Sequence, residues 1–240
     1  MATHRLKIPL TLEDVAPLRI GDMVYLDGLV HTGRGLLYEH VIDKGNVPPI
    51  DLAALSNVQM HAAPAGQEEN VPGGYRISSI QATASFRYWK WVPDYVRRFG
   101  IRAVIGKGGM DESIYREVFA KTGTVFLTTV GYGIAALYGR AIKSVEAVHW
   151  KDELGLPEAL WVIRVENFGP FIVDGDITGA SLASKAIAAV NPKFKEAYAK
   201  LPQHILKRIG EITQDLEHEV IAGAPGCPMP DDDPGPTGSR

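Results

Sequence analysis

Three cations and one hydroxyl group stand where they could do chemistry. Arg34 follows the run Leu29-Val-His-Thr-Gly33, Thr83 precedes Arg87 by four residues, and Lys107 lies between glycines in Gly106-Lys-Gly-Gly109. On a helix or tight turn, a spacing of four puts Thr83 and Arg87 on one face. An arginine presents a planar fork that fits a carboxylate, so Arg34 and Arg87 together suit the two ends of a diacid. A glycine loop lets backbone amides approach an anion while Lys107 adds a point charge. The plainer reading stays open, because Arg97, Arg98 and Arg102 make arginine common nearby and a lysine on a tight turn is often just solvated. The lysine loop is not a Walker A loop: Ile101 stands where the first glycine belongs, and Gly108 where Ser or Thr belongs.

A second loop, Gly131-x-Gly133-x-x-Ala136, follows an apolar strand and has Glu153 downstream, so it formally passes the dinucleotide fingerprint. The competing explanation is a tight turn with close helix packing. His31 and His149 lack any His-x-x-His, Glu-x-x-His or Cys spacing, so they read as structural histidines with satisfied hydrogen bonds. No Gly-x-Ser-x-Gly elbow supports a serine hydrolase.

The elements that must hold these residues alternate along the chain. Met23-Val-Tyr-Leu26 predicts a strand ending at Asp27-Gly28, with a helix starting near Gly35; Val58–Ala62 and Tyr75–Ile80 are further strands around a polar loop from Gly66 to Gly74. The stretch from Thr83 to Phe99 predicts a helix interrupted near Pro93. Two strand-loop-helix units follow. The first runs Ala103-Val-Ile105, the lysine loop, then a helix from Asp111 as cap to Thr122, stopped by Gly123; the second runs Val125–Val130, the second glycine loop, then a helix from Ile134 to Lys143. Val145–Trp150, Trp161–Val165 and Phe171–Val173 predict three more strands, and Ser181–Val190 and Lys193–Val220 two helices. This is an α/β architecture, in which ligands collect beyond the C-terminal ends of the strands. The expected domain covers residues 1–221, with 191–221 a helical extension and 222–240 a flexible Pro/Gly-rich tail.

Composition removes several function classes. A net charge of -3 from 25 basic and 28 acidic residues leaves no basic face for a nucleic acid or an anionic membrane. No apolar run approaches the about 20 residues a membrane helix needs, and Met-Ala-Thr-His-Arg-Leu-Lys7 lacks a signal-peptide core, so a cytoplasmic location is expected. The chain holds 1 cysteine, Cys227, in the Pro/Gly-rich tail. Intramolecular disulfides are thereby excluded, a protein-held iron-sulfur cluster would lack thiolates, and a catalytic thiol is not expected in an acidic tail.

Five segments, in order, resemble one family: Leu26-Asp-Gly-Leu-Val-His-Thr-Gly-Arg34, Ile105-Gly-Lys-Gly-Gly-Met110, Ser144-Val-Glu-Ala-Val-His-Trp150, Glu153-Leu-Gly-Leu-Pro-Glu-Ala-Leu-Trp161 and Val165-Glu-Asn-Phe-Gly-Pro170. Across roughly residues 5 to 180 the chain is similar to the beta subunit of class I iron-sulfur fumarases and L(+)-tartrate dehydratases, the unit that forms the C-terminal domain of single-chain class I fumarases. The resemblance implies a swivelling β/α/β domain that closes on a larger alpha subunit carrying a 4Fe-4S cluster, as a heterodimer or heterotetramer. It implies a hydro-lyase that adds or removes water on a small 2-hydroxy dicarboxylic acid. It also implies that Thr83 and Arg87 take part in catalysis, Thr83 in proton transfer, and that Arg34, Arg87 and Lys107 bind the substrate.

The chain departs from the family pattern at two places. Members commonly read Gly-Pro-Thr-Thr-x-x-Arg, against Gln81-Ala-Thr-Ala-Ser-Phe-Arg87 here; they commonly read Arg-Asp with a His three residues on, where this chain has Gly35 and Tyr38. A diacid related to malate, such as tartrate or a bulkier 2-hydroxy diacid, is therefore expected as substrate. Two readings from other classes stand beside this one: a dinucleotide-binding oxidoreductase module, and a non-catalytic relative that binds a partner.

Overall fold

The computed structural model describes residues 1–131 and 133–198. Residues Met1–Ile187 form one compact unit, and a second begins at Ala188. Nine strands carry the first unit: β1 Thr3–Lys7, β2 Met23–Thr32, β3 Val58–Met60, β4 Ala62–Glu68, β5 Tyr75–Ala82, β6 Ala103–Gly106, β7 Val125–Thr129, β8 Ile142–His149 and β9 Leu160–Gly175. Seven of them form a mixed sheet in the order β1-β2-β3-β6-β7-β9-β8, and β4 and β5 form a separate antiparallel hairpin.

Strands β2, β3, β6 and β7 run parallel, and β9 lies antiparallel to both β7 and β2. The β2–β9 pairing closes β2, β3, β6, β7 and β9 into a circuit. Side chains alternate across it, as a strand's period of two requires. Ala103, Ile105, Val125 and Leu127 join a core with Val24, Leu26, Val30 and Met60, together with Ile163 and Phe171 of β9. Val104 and Phe126, between them in sequence, face a second core with Tyr38, Val92, Tyr95, Ile114 and Phe119 from the covering helices. The short all-buried runs of β3 and β6 are what a parallel strand covered on both faces looks like.

The expected α/β class is the one observed, with local corrections. Strand β2 does not end at Gly28: the register shifts between Leu26 and Gly28, and Gly28 adopts φ 126 where a Cβ would lie 2.8 Å from the Ile8 carbonyl oxygen. The glycine marks an irregularity within a continuing strand, not a stop. Trp161–Val165 and Phe171–Val173 belong to one strand, because β9 keeps β2 on one side while its other partner changes from β8 to β7. Pro93 sits in the first turn of the helix Val92–Phe99, where no intrahelical N–H is needed, rather than interrupting a longer helix. The segment before it forms a 3-10 turn, Phe86–Tyr88.

The helix capped by Asp111 is present, its side chain accepting from Ser113 N, and it contains a π turn over Tyr115–Phe119 before Gly123 closes it at φ 67. The helix after the second glycine loop spans Ala135–Ala141 and stops two residues early, since Ile142 already pairs with Val165 in β8. The two helices expected near the C-terminus begin as one, Leu182–Tyr198, with Pro192 inside it. The rest of the expected extension to residue 221 and the tail 222–240 with Cys227 lie outside the described residues. Among the described residues no helix is long and apolar enough to cross a membrane.

Candidate functional site

Three neighbouring parallel strands end at the same place. Past β2 come Gly33 and Arg34, past β3 comes His61, and past β6 comes Lys107. Gly33 N donates to Met60 O at 2.9 Å, so the chain turns against β3, and a Cβ at Gly33 would lie 2.2 Å from Gln59 Nε2. Gly106 is under the same constraint: a Cβ there would meet Ser85 Oγ at 2.0 Å. The Thr83–Arg87 segment leaves β5 and joins this edge through an isolated parallel bridge between Ala84 and Lys107, with Ser85 N donating to Lys107 O at 2.9 Å.

The expected pairing of Thr83 with Arg87 is made on this turn, around Tyr88. Thr83 Oγ1 lies 3.2 Å and Arg87 Nη2 3.4 Å from the Tyr88 hydroxyl. Thr83 is also tied to His61, its N and its Oγ1 both donating to the His61 carbonyl oxygen at 2.6 and 3.1 Å. One proton order satisfies the set: Arg87 donates to the Tyr88 oxygen, Tyr88 to Thr83 Oγ1, and Thr83 to His61 O. Arg34 follows β2 at the same strand edge, and the adjacent Gly35 lies by the Tyr88 ring, which a Cβ there would meet at 3.9 Å. Arg34 Nη1 donates to Pro157 O at 3.1 Å. Its Nε sits 3.3 Å from Glu158 Oε1, an ion pair by distance but not aligned as a hydrogen bond, so this buried N–H has no hydrogen-bond partner.

Beneath these groups lies a buried polar chain. Tyr38 donates to Gln59 Oε1 at 2.5 Å, and its oxygen is 2.7 Å from His61 Nε2. His61 Nδ1 is 2.8 Å from Ser85 Oγ, which accepts from Lys107 N at 3.1 Å. These partners assign the tautomer: Nε2 carries the proton and gives it to Tyr38, and Nδ1 accepts from Ser85. Burial, reinforced by the nearby His31 and Arg87, pushes the His61 imidazole down to about 3. Burial does the same to His31, which bridges Ser56 and Tyr95 and is also held down to about 3. Burial drives the Tyr38 hydroxyl well above its ordinary range, with Tyr95 and Tyr88 adding to it. Every member of this chain is therefore neutral at physiological pH.

The rim carries the charge. Arg87 and Lys107 are exposed, and among the described residues neither is ion-paired with a carboxylate. Two uncompensated cations, an arginine anchored by Glu158 and a hydroxyl between them suit a small anion. Two surface depressions lie away from this corner, beside the β4–β5 hairpin, and one of them is lined by Glu68, Glu69 and Lys151.

Of the residues expected from the sequence, Thr83, Arg87 and the Lys107 loop are joined through Tyr88 and Ser85, while Arg34 stands at the same strand edge with its side chain held by Pro157 and Glu158. Sequence reasoning missed His61, Ser85, Tyr88 and Glu158, and it met Tyr38 only as a departure. The available signal was Val58-Gln-Met-His-Ala62, where polar Gln59 and His61 interrupt a buried strand. His31 is satisfied as expected, whereas buried His149 Nε2 lacks a partner. The dinucleotide loop finds no support in the geometry: its helix has 7 residues, the next strand pairs with β9 rather than β7, and Glu153 is exposed past β8. No group of three or more His, Cys, Asp or Glu able to hold a metal occurs among the described residues.

A family model described as the Fumarase C-terminus matches residues 2–186. The chain is 36% identical over 190 residues to a "Putative L(+)-tartrate dehydratase subunit beta" of Methanocaldococcus jannaschii, covering 78% of this chain and 94% of that protein. It is 31% identical over 182 residues to the L(+)-tartrate dehydratase subunit beta of Escherichia coli K12, covering 75% and 86%. A "Putative fumarate hydratase class I" of Geobacillus stearothermophilus is 34% identical over 178 residues, 74% of this chain but 33% of that protein, so the chain spans about a third of it. The match contains every residue of the corner described above, and the chain belongs to the fumarase C-terminal family, alongside beta subunits of L(+)-tartrate dehydratases.

Proposed function

We propose that this chain is the beta subunit of a two-component hydro-lyase that eliminates water from, or adds it to, a small 2-hydroxy dicarboxylic acid of the tartrate or malate type. The observation that carries the reading is the placement of Arg34, Arg87 and Lys107 along one strand edge, with Arg87 and Lys107 free of carboxylate partners among the described residues. The closed strand circuit is, on this reading, a swivelling domain that brings the corner against an alpha subunit in a cytoplasmic heterodimer or heterotetramer.

Removing the C3 proton of a hydroxy diacid places negative charge on the adjacent carboxylate. Arg34, Arg87 and Lys107 bind the two carboxylates, and Arg87 offsets that charge as it develops. Thr83 relays the C3 proton at its Oγ1, passing its own hydroxyl proton to a carboxylate supplied by the alpha subunit. A free hydroxyl is a weak base, so its competence depends on the Tyr88 hydroxyl, 3.2 Å away, which itself faces Arg87. Class I relatives imply an iron-sulfur cluster. This chain does not fit as its holder, having 1 cysteine in 240 residues and no metal-ligand group among those described. We assign the cluster to the alpha subunit.

The test is turnover of a diacid panel by the chain reconstituted anaerobically with its cluster-bearing partner, each subunit also assayed alone. The expected result is activity on one diacid only when both are present, falling about 10²-fold or more in kcat for Thr83→Ala. Unchanged turnover in Thr83→Ala and Arg87→Ala would instead favour a non-catalytic, partner-binding role.

A further inference from the structure

His61 holds the site segments by two separate handles. Its carbonyl oxygen takes both hydrogen bonds of Thr83, and its ring takes Ser85 on one nitrogen and Tyr38 on the other. Ser85 is fully buried and ties its own segment to the Lys107 loop twice: Oγ accepts from Lys107 N while the Ser85 amide donates to Lys107 O. A serine hydroxyl rotates freely unless its proton has a fixed acceptor. The bare Nδ1 of His61 supplies that acceptor, and it stays bare only while Nε2–H is committed to Tyr38, whose own proton is committed to Gln59. Tyr38 is also clamped sterically, stacked on Trp91 at 6.0 Å and edge-on to Tyr95 at 5.1 Å.

We propose that His61 is a positioning residue whose neutral ring, oriented by Tyr38, fixes the Lys107 loop through Ser85 and so sets the affinity of the site for a carboxylate. The proposal rests on the anion-binding reading of Lys107 given above. It assigns the two handles different kinetic consequences. The Thr83 tether uses the backbone carbonyl and survives any side-chain change at position 61, as does the Ser85 N to Lys107 O bond, while the Ser85 Oγ contact to Lys107 N is oriented by the ring and does not survive. Side-chain changes at His61 therefore act on KM far more than on kcat.

Asparagine and glutamine separate the two ring nitrogens, because an Asn amide reaches about where Nδ1 lies and a Gln amide about where Nε2 lies. His61→Asn keeps the Ser85 contact and His61→Gln loses it. In the full chain, amide hydrogen exchange read by NMR is expected to speed up about tenfold at Lys107 in His61→Gln and in Ser85→Ala, with a smaller change in His61→Asn and none at Leu127 in the core of β7. In the assembled enzyme, with L(+)-tartrate and malate as probes, His61→Gln is expected to raise KM about tenfold while kcat changes less than threefold. The double variant His61→Gln/Ser85→Ala is expected to be no worse than either single one, since both break the same path. Equal behaviour of Asn and Gln, exchange that rises equally at Leu127, or additive effects in the double variant would each overturn the proposal in favour of a general packing role. Lys107→Ala serves as the control: if it leaves KM unchanged, the anion-binding reading fails, whereas a raised KM there with a normal one in His61→Gln defeats the positioning role alone.

Discussion

Lowering the pH from 7.5 to 5.5 is expected to remove about 2.7 kcal/mol of folding stability, through two imidazoles that the fold keeps neutral. His31 and His61 are fully buried and pushed down to about 3, from an ordinary value of 6.5. Because the folded pKa lies below the unfolded one, each contribution is complete above pH 6.5 and is lost progressively as the pH falls towards the folded value. At pH 5.5 an unfolded histidine binds about 0.9 proton and the folded one almost none, which amounts to about 1.4 kcal/mol per residue relative to pH 7.5. The result does not depend on the depth of the depression, since any folded value below about 4.5 gives nearly the same difference at pH 5.5. Carboxylates held low, such as Asp22 and Asp111, exert their linkage below this window.

The assay is urea unfolding of the full chain at the two pH values, followed by tryptophan fluorescence. With a slope of about 2 to 3 kcal/mol per molar, the midpoint drops by about 1 M. His61→Gln removes one titrating group, so its midpoint difference between the two pH values is expected to be about half that of the parent. A midpoint that is the same at both pH values, or higher at pH 5.5, would refute the account of a neutral buried pair.

Three further outcomes follow from the site. Arg87→Ala and Lys107→Ala each remove an exposed cation that has no competing carboxylate among the described residues, so kcat/KM is expected to fall about 10²-fold in each, the loss of one charge-assisted contact, measured in steady state. Glu158→Ala takes away the anchor of Arg34 and the acceptor for Leu36 N at 2.9 Å, and is expected to raise KM about tenfold while unfolding shifts by at most about 1 kcal/mol. Gly106→Ala drives a Cβ to 2.0 Å from Ser85 Oγ and 2.5 Å from Phe126 Cζ, so a loss of about 1 to 3 kcal/mol in chemical denaturation is expected, together with a raised KM because Ser85 is displaced.

What could be read from the chain divides along the physics of each signal. Strands β6 and β7 were legible because a parallel strand buried on both faces leaves a short apolar run, and the helix from Asp111 to Gly123 was legible because both ends carry their caps. Strand β9 was broken in two because Asn167 and Gly169, with φ 51 and 158, read locally as a turn, and only the strands on either side hold the chain extended through it. The circuit was not legible at all, since closure depends on a β2–β9 pairing that spans more than a hundred residues of sequence and leaves no local mark.

The same division explains the site. Arg34, Thr83, Arg87 and Lys107 announce themselves because charged and hydroxyl groups next to glycines and strand ends have few other uses. The layer beneath them does not, because His61, Gln59 and Ser85 acquire meaning only when three strand ends meet. Yet that layer determines what the cations can do. An exposed lysine on a glycine loop is a mobile point charge, and an exposed arginine on a 3-10 turn is little better. What makes them a site is that both loops are fastened to a rigid, uncharged, buried strut, Tyr38-His61-Ser85, whose neutrality keeps positive charge on the rim and out of the core. The two departures that the family resemblance implies, at Gly35 and Tyr38 and along Gln81–Ser85, fall on or beside that strut and on the segment it holds.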